Sequence, residues 1–175
     1  GLWFPQADIV AAVNSKNPDL LYFSGDQIYE GDLTPAHQKS EEAYLLDYLY
    51  KWTHWCWAFG DLTRNRPCIT IPDDHDIGQG NLWGEGGIKG KGNGNYGGYV
   101  HHHEYVKQVE RCQTDHLPDP YDATPVAQGI GVYYTNYNLA GIDFAILEDR
   151  KFKSGPNGKL PNNGGRSDHI RDASY

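Results

Sequence analysis

Apolar residues fall along this chain in two patterns, as short unbroken runs and as a long stripe at helical spacing. The runs are Leu20-Leu21-Tyr22-Phe23-Ser24 and Cys68-Ile69-Thr70-Ile71-Pro72. Runs of this length, without alternation, predict strands of the kind buried on both faces of a parallel sheet. Between them, Tyr44, Leu45, Tyr48, Leu49, Trp52, Trp55, Cys56 and Phe59 recur at steps of three and four. That spacing predicts a helix from Ser40 to about Phe59, with Ser40 as its cap, Glu41 and Glu42 in the first turn and Gly60 just past its end. The aromatic stripe is core. A helix between two strands is a crossover, so the strands are expected to be parallel neighbours.

Other elements are weaker. Gln6 to Val13, following Pro5, predicts a short helix with Ile9, Val10 and Val13 on one face, broken by Asn17-Pro18-Asp19. Tyr99 to Arg111 predicts a helix with Val100, His103, Val106 and Val109 or Glu110 inward. Val132–Leu139 and Ile142–Leu147 predict a hairpin turning at Ala140-Gly141. Gly78 to Gly98, mostly Gly, Asn and Lys around Trp83 and Tyr96, predicts a long loop: a lid beside a site or a plain surface excursion. It lacks the phosphate-cradling glycine–lysine pattern.

Composition adds bounds to this α/β reading. The length of 175 residues suits a single domain. A net charge of −8 argues against a nucleic-acid surface, which needs a basic face, and is compatible with holding cations. No transmembrane run or signal peptide is present in these residues. The cysteines Cys56, Cys68 and Cys112 have no zinc-finger spacing and are expected to be buried free thiols, with one disulfide as the alternative. His101-His102-His103 is a poor metal site, because adjacent residues on a helix diverge by about 100°.

The chemistry lies where the two strands stop. The first opens into Gly25-Asp26-Gln27-Ile28-Tyr29-Glu30-Gly31-Asp32, the second into Asp73-Asp74-His75-Asp76. If the strands are parallel neighbours, both acidic clusters lie at the same end of the sheet, where functional groups of α/β proteins collect. Carboxylates, histidine and a phenol hold hard cations. Asp26 is placed to bridge ions, Tyr29 to approach one in a tight turn, and His75 to protonate or stabilise a leaving oxygen. The alternative is Asp26 as a helix cap or turn residue and Tyr29 as packing.

Gly25-Asp26-Gln27-Ile28-Tyr29-Glu30 resembles the GDxxYE motif of the PhoD-like (alkaline phosphatase D) branch of the calcineurin-like metallophosphoesterases, and Asp73-Asp74-His75-Asp76 resembles its DDHE block. Leu147-Glu148-Asp149-Arg150-Lys151-Phe152-Lys153 is more loosely similar to the family's LDTRQYR segment. The likeness spans roughly residues 5 to 154, with Pro72 where Trp is usual and Asp76 where Glu is. It implies a β-sandwich flanked by helices and hydrolysis of phosphate monoesters or diesters. By that pattern Asp26 bridges two metals, Tyr29 and Asp74 are ligands, His75 is the catalytic histidine, and Arg150 is a substrate contact or an ion-pair partner. The metals would be iron with calcium, or other divalent ions, and the enzyme secreted or periplasmic, with a small phosphate ester as its partner and no membrane embedding.

The family's first acidic metal motif and its late histidine block are not found in residues 1 to 175; Asp168-His169 is not that block. The chain therefore reads as a partial metallophosphoesterase domain, expected to bind metal weakly and turn over little alone. A different class, a non-catalytic metal- or carbohydrate-binding module, would draw on Trp83 and Tyr96 with acids nearby for calcium.

Overall fold

The structure, a computed structural model, describes residues 6–31, 34, 40–78 and 98–153. Helix α1 (Ala7–Lys16) ends on Asn17, whose φ of 46° is the left-handed conformation of a helix stop. Strand β1 (Leu21–Phe23) follows, then α2 (Glu41–Ala58), a single turn α3 (Gly60–Thr63) and strand β2 (Cys68–Thr70). Helix α4 (His103–Thr114) and the strands β3 (Tyr134–Leu139) and β4 (Ile142–Leu147) complete the order. The mixed α/β content expected from the sequence is present.

β1 and β2 pair in parallel, Leu21 opposite Cys68 and Phe23 opposite Thr70. Pairing continues past the strand ends: the Ile71 amide donates to the Phe23 carbonyl at 3.1 Å. This is the crossover arrangement that the intervening helix requires. The strands are shorter than expected, and β1 is not buried on both faces. Leu21 is buried, but Tyr22 is 57% exposed. Tyrosine's ring with a polar tip tolerates that position better than an aliphatic side chain would.

α2 is capped by Ser40, whose hydroxyl accepts the Ala43 amide. Tyr48 and Trp55 of its stripe are buried, Trp55 packed edge-on to Phe23 at 4.9 Å and stacked on Trp52 at 4.8 Å. Leu49 and Cys56, at the stripe's margin, face solvent. All three cysteines are free, but Cys56 is exposed and Cys68 and Cys112 are half-buried, which corrects the expectation of buried thiols. For Cys56, position on the edge of the amphipathic face of α2, rather than residue type, decides this.

α4 starts four residues later than expected, at His103, because His102 takes an extended cap conformation and its ring accepts the Glu104 amide. Val100 is therefore outside the helix and 38% exposed, while Tyr105, Val106 and Val109 are buried against α2. β3 and β4 form the expected hairpin, with Ala140 and Gly141 both at positive φ, the twist a tight two-residue turn needs. A second core of Ile69, Ile71, Tyr133 and Ile146 joins the parallel strands to the hairpin. Among the described residues the sheets have two strands each. The loop over Trp83 and Tyr96, and Asp168-His169, lie outside those residues.

The Trp55 ring of α2 packs on Phe23 of β1 and on Phe59. Trp55→Ala is expected to lower the unfolding free energy by about 3–5 kcal/mol, read by denaturant titration. A loss under about 1 kcal/mol would mean that α2 is held to the sheet elsewhere.

Candidate metal centre

Parallel pairing brings the two acidic strand ends side by side. The chain leaves β1 through Gly25, at φ 111°, and Asp26, at φ 58°. Both are left-handed, which is costly for an aspartate and marks a backbone held by its surroundings. Gly25 must be glycine for a second reason: a Cβ there would overlap the Cβ of Asp73. The two loops touch at that point.

Asp76 holds them together. It is fully buried and its carboxylate accepts the Asp26 amide at 2.7 Å, the Ile28 amide at 2.9 Å and the Asp73 amide at 3.0 Å. Burial pushes its carboxyl up to about 7, with the amides of Asp73, Ile28 and Asp26 and the Gln113 side chain pulling the other way. Gln27 adds a second tie, its amide nitrogen 3.3 Å from the carbonyls of Phe23 and Ile71.

With the loops fixed, carboxylate oxygens of Asp26, Asp73 and Asp74 lie within 4.8 Å of one another. Asp74 is buried; Asp26 and Asp73 are half-buried. The Oδ1 of Asp26 is buried with no hydrogen-bond partner, an orphaned acceptor at the centre of an acidic cluster. That is the environment a hard cation satisfies. Three carboxylates fit one such ion; together with Tyr29 they fall short of the roughly four to six donors that each of two ions requires.

Sequence reasoning named Asp26 and Asp74 and passed over Asp73. The signal for Asp73 was its place in the same acidic block, but one-dimensional spacing does not reveal which carboxylates of a tight turn converge. Tyr29 comes to the cluster through a hydrogen bond, its hydroxyl donating to Asp26 Oδ2 at 3.1 Å. Desolvation and the Asp26 charge raise its phenol above the ordinary value.

His75 stacks on the Tyr29 ring at 4.1 Å, and its Nδ1 meets Glu30 Oε2 at 2.8 Å. Burial pulls the imidazole down, but Glu30, Asp26 and Asp74 outweigh it and hold the ring above its ordinary pKa. Glu30, which sequence reasoning left without a role, is placed by Lys51. This buried lysine pairs with Asp47 at 2.8 Å and donates to the Glu30 carbonyl at 2.8 Å.

Arg150 arrives from the end of β4. Its Nε contacts Asp73 Oδ1, and its terminal nitrogen lies 4.0 Å from Asp74 Oδ1. Burial raises Asp73 and the Arg150 charge opposes that rise. A cleft of about 440 Å³ is lined by Tyr22, Phe23, Trp55 and Phe59 as well as by Asp26 and Tyr29. No protein-family profile, curated protein or solved structure matches the chain.

Two expectations test this geometry. Gly25→Ala should destabilise the protein by more than Gly141→Ala, because both sites have positive φ but only Gly25 presses on a neighbour. Equal losses in denaturant titrations would remove the close approach to Asp73. Glu30→Gln should lower the His75 pKa, read from the imidazole proton shifts by NMR. Since the folded value lies above the ordinary 6.5, the stability from this pair is full below that pH and is lost as pH rises through the folded pKa. An unmoved titration midpoint would take Glu30 out of the site.

Proposed function

We propose that this protein is a metal-dependent phosphoesterase of the PhoD-like kind, built on a calcineurin-like fold. The observation that carries the reading is the convergence of Asp26 from one strand end with Asp73 and Asp74 from the next, beside a histidine with an acidic partner. Asp26, Asp73 and Asp74 hold a hard divalent cation such as calcium, manganese or ferrous iron. A cation held by these three residues would supply charge to activate a water and to neutralise phosphate oxygens. A second ion would require donors beyond the described residues.

The chain's own groups supply the rest. Glu30 engages Nδ1 of His75, so Nε2 is the nitrogen that can give a proton to the leaving oxygen of the ester. The raised pKa keeps that proton on the ring at neutral pH more often than in a free imidazole. Tyr29 stacks on the ring and orients Asp26 through its hydroxyl. Arg150 offers a guanidinium suited to a phosphate oxygen. The cleft lined by Phe23, Trp55 and Phe59 gives room beside the acids for the alcohol portion of a small phosphate ester. Among the described residues no helix is long and apolar enough to cross a membrane. Export, as for the family resembled, remains part of the proposal.

The test separates cation from chemistry. Asp74→Ala should abolish binding of divalent cations and hydrolysis together. His75→Ala should keep cation binding and remove chelator-sensitive hydrolysis of nitrophenyl phosphate mono- and diesters, a reaction expected to be slow from the 175-residue chain. Wild-type turnover in His75→Ala would exclude the leaving-group role, and wild-type cation binding in Asp74→Ala would exclude the site.

A further inference from the structure

Arg150 is mounted rather than merely nearby. Glu148, fully enclosed, accepts the backbone amides of Arg150 at 2.6 Å and Lys151 at 2.8 Å through one oxygen. The buried Lys151 ammonium pairs with Glu110 of α4 and lies 3.5 Å from the other Glu148 oxygen. Tyr99 donates its hydroxyl to the Lys151 carbonyl. This network fixes the backbone at the end of β4, from which the guanidinium reaches Asp73 and Asp74 with only 16% of its side chain exposed.

Those are two of the three carboxylates that converge. Like charges packed so closely repel, and a cation among them relieves the repulsion. Resting on the metal reading of this triad, we propose that Arg150 is its resident counter-ion, displaced from Asp73 and Asp74 when a divalent cation loads. Asp73 Oδ1 already accepts the Asp74 amide at 2.8 Å as well as the guanidinium, so an incoming ion competes for an engaged carboxylate. A monovalent ion brings no more charge than the arginine it displaces and loses the planar fork of donors. A divalent ion gains a charge. Arg150 therefore lowers affinity for every cation, and the second charge of a divalent ion on the three carboxylates is what offsets the cost of displacing it.

The sign of one substitution decides between this role and that of a structural strut. If Arg150 merely braces the loop, Arg150→Gln loosens the triad and weakens cation binding. If it is the counter-ion, the same change tightens binding, by about tenfold for one unscreened charge at a partly buried site. The measurement is a titration of the full chain with Mn²⁺ alone at neutral pH, the free ion counted by electron paramagnetic resonance. Arg150→Lys, which keeps the charge and the mount but loses the fork, should show a smaller tightening, and serves if the glutamine variant does not fold. Affinity equal to or weaker than wild type in the folded variant overturns the counter-ion. Absence of Mn²⁺ binding in wild type and variants alike overturns the metal reading itself, and the counter-ion with it.

Discussion

The candidate site depends on one buried carboxylate that is not among its ligands. Asp76 is sealed from solvent, and an enclosed charge is costly unless it is fully hydrogen-bonded. Here it accepts amides from Asp26, Ile28 and Asp73, which belong to two loops distant in sequence. A side chain that bonds backbone on both loops fixes their spacing in a way that packing alone would not, because hydrogen bonds are directional. The close approach of Gly25 to Asp73 and the left-handed backbone at Asp26 follow from that spacing. They would be unfavourable in either loop alone.

The core extends this order outward. Gln113 at the end of α4 accepts from Gln27 at 3.4 Å, donates to Tyr48 of α2 at 3.1 Å, and receives the Thr70 hydroxyl on its carbonyl. One buried residue, through its side-chain amide and its backbone carbonyl, thus connects both long helices, β2 and the first loop. Lys51 does the same from α2 to Glu30, and through Glu30 to His75. These polar groups share partners, so moving one carries a cost at several others. The acidic cluster is held rigid by groups that lie outside it.

Much of this was legible in the sequence, for reasons that can be named. The unbroken runs at Leu20–Ser24 and Cys68–Pro72, with a long amphipathic helix between them, dictate parallel neighbours, and parallel neighbours bring Asp26 to Asp74. The hairpin was legible because Ala140-Gly141 interrupts two β-type runs. What was not legible depends on direction within tight turns. In Asp73-Asp74-His75-Asp76 the backbone bends so sharply that one aspartate faces the opposite loop's amides and two face its carboxylate. Periodicity assigns faces only within regular elements. The exposed Tyr22 and Cys56 escaped notice for a related reason, since composition indicates that a face is apolar but not what covers it.

Three carboxylates brought this close repel one another unless a positive partner meets them. Two groups able to carry positive charge lie beside them, from different elements. His75 approaches from the second loop, its charged form favoured by Glu30; Arg150 approaches from the end of β4, anchored on the enclosed Glu148 and Lys151. An ordinary acidic turn relieves repulsion by opening into water, where it is screened. These loops cannot open without breaking the Asp76 bonds and exposing the Gln27–Gln113 contact. The fold therefore keeps the three carboxylates together beside Arg150 and His75 instead of letting the turns open into solvent.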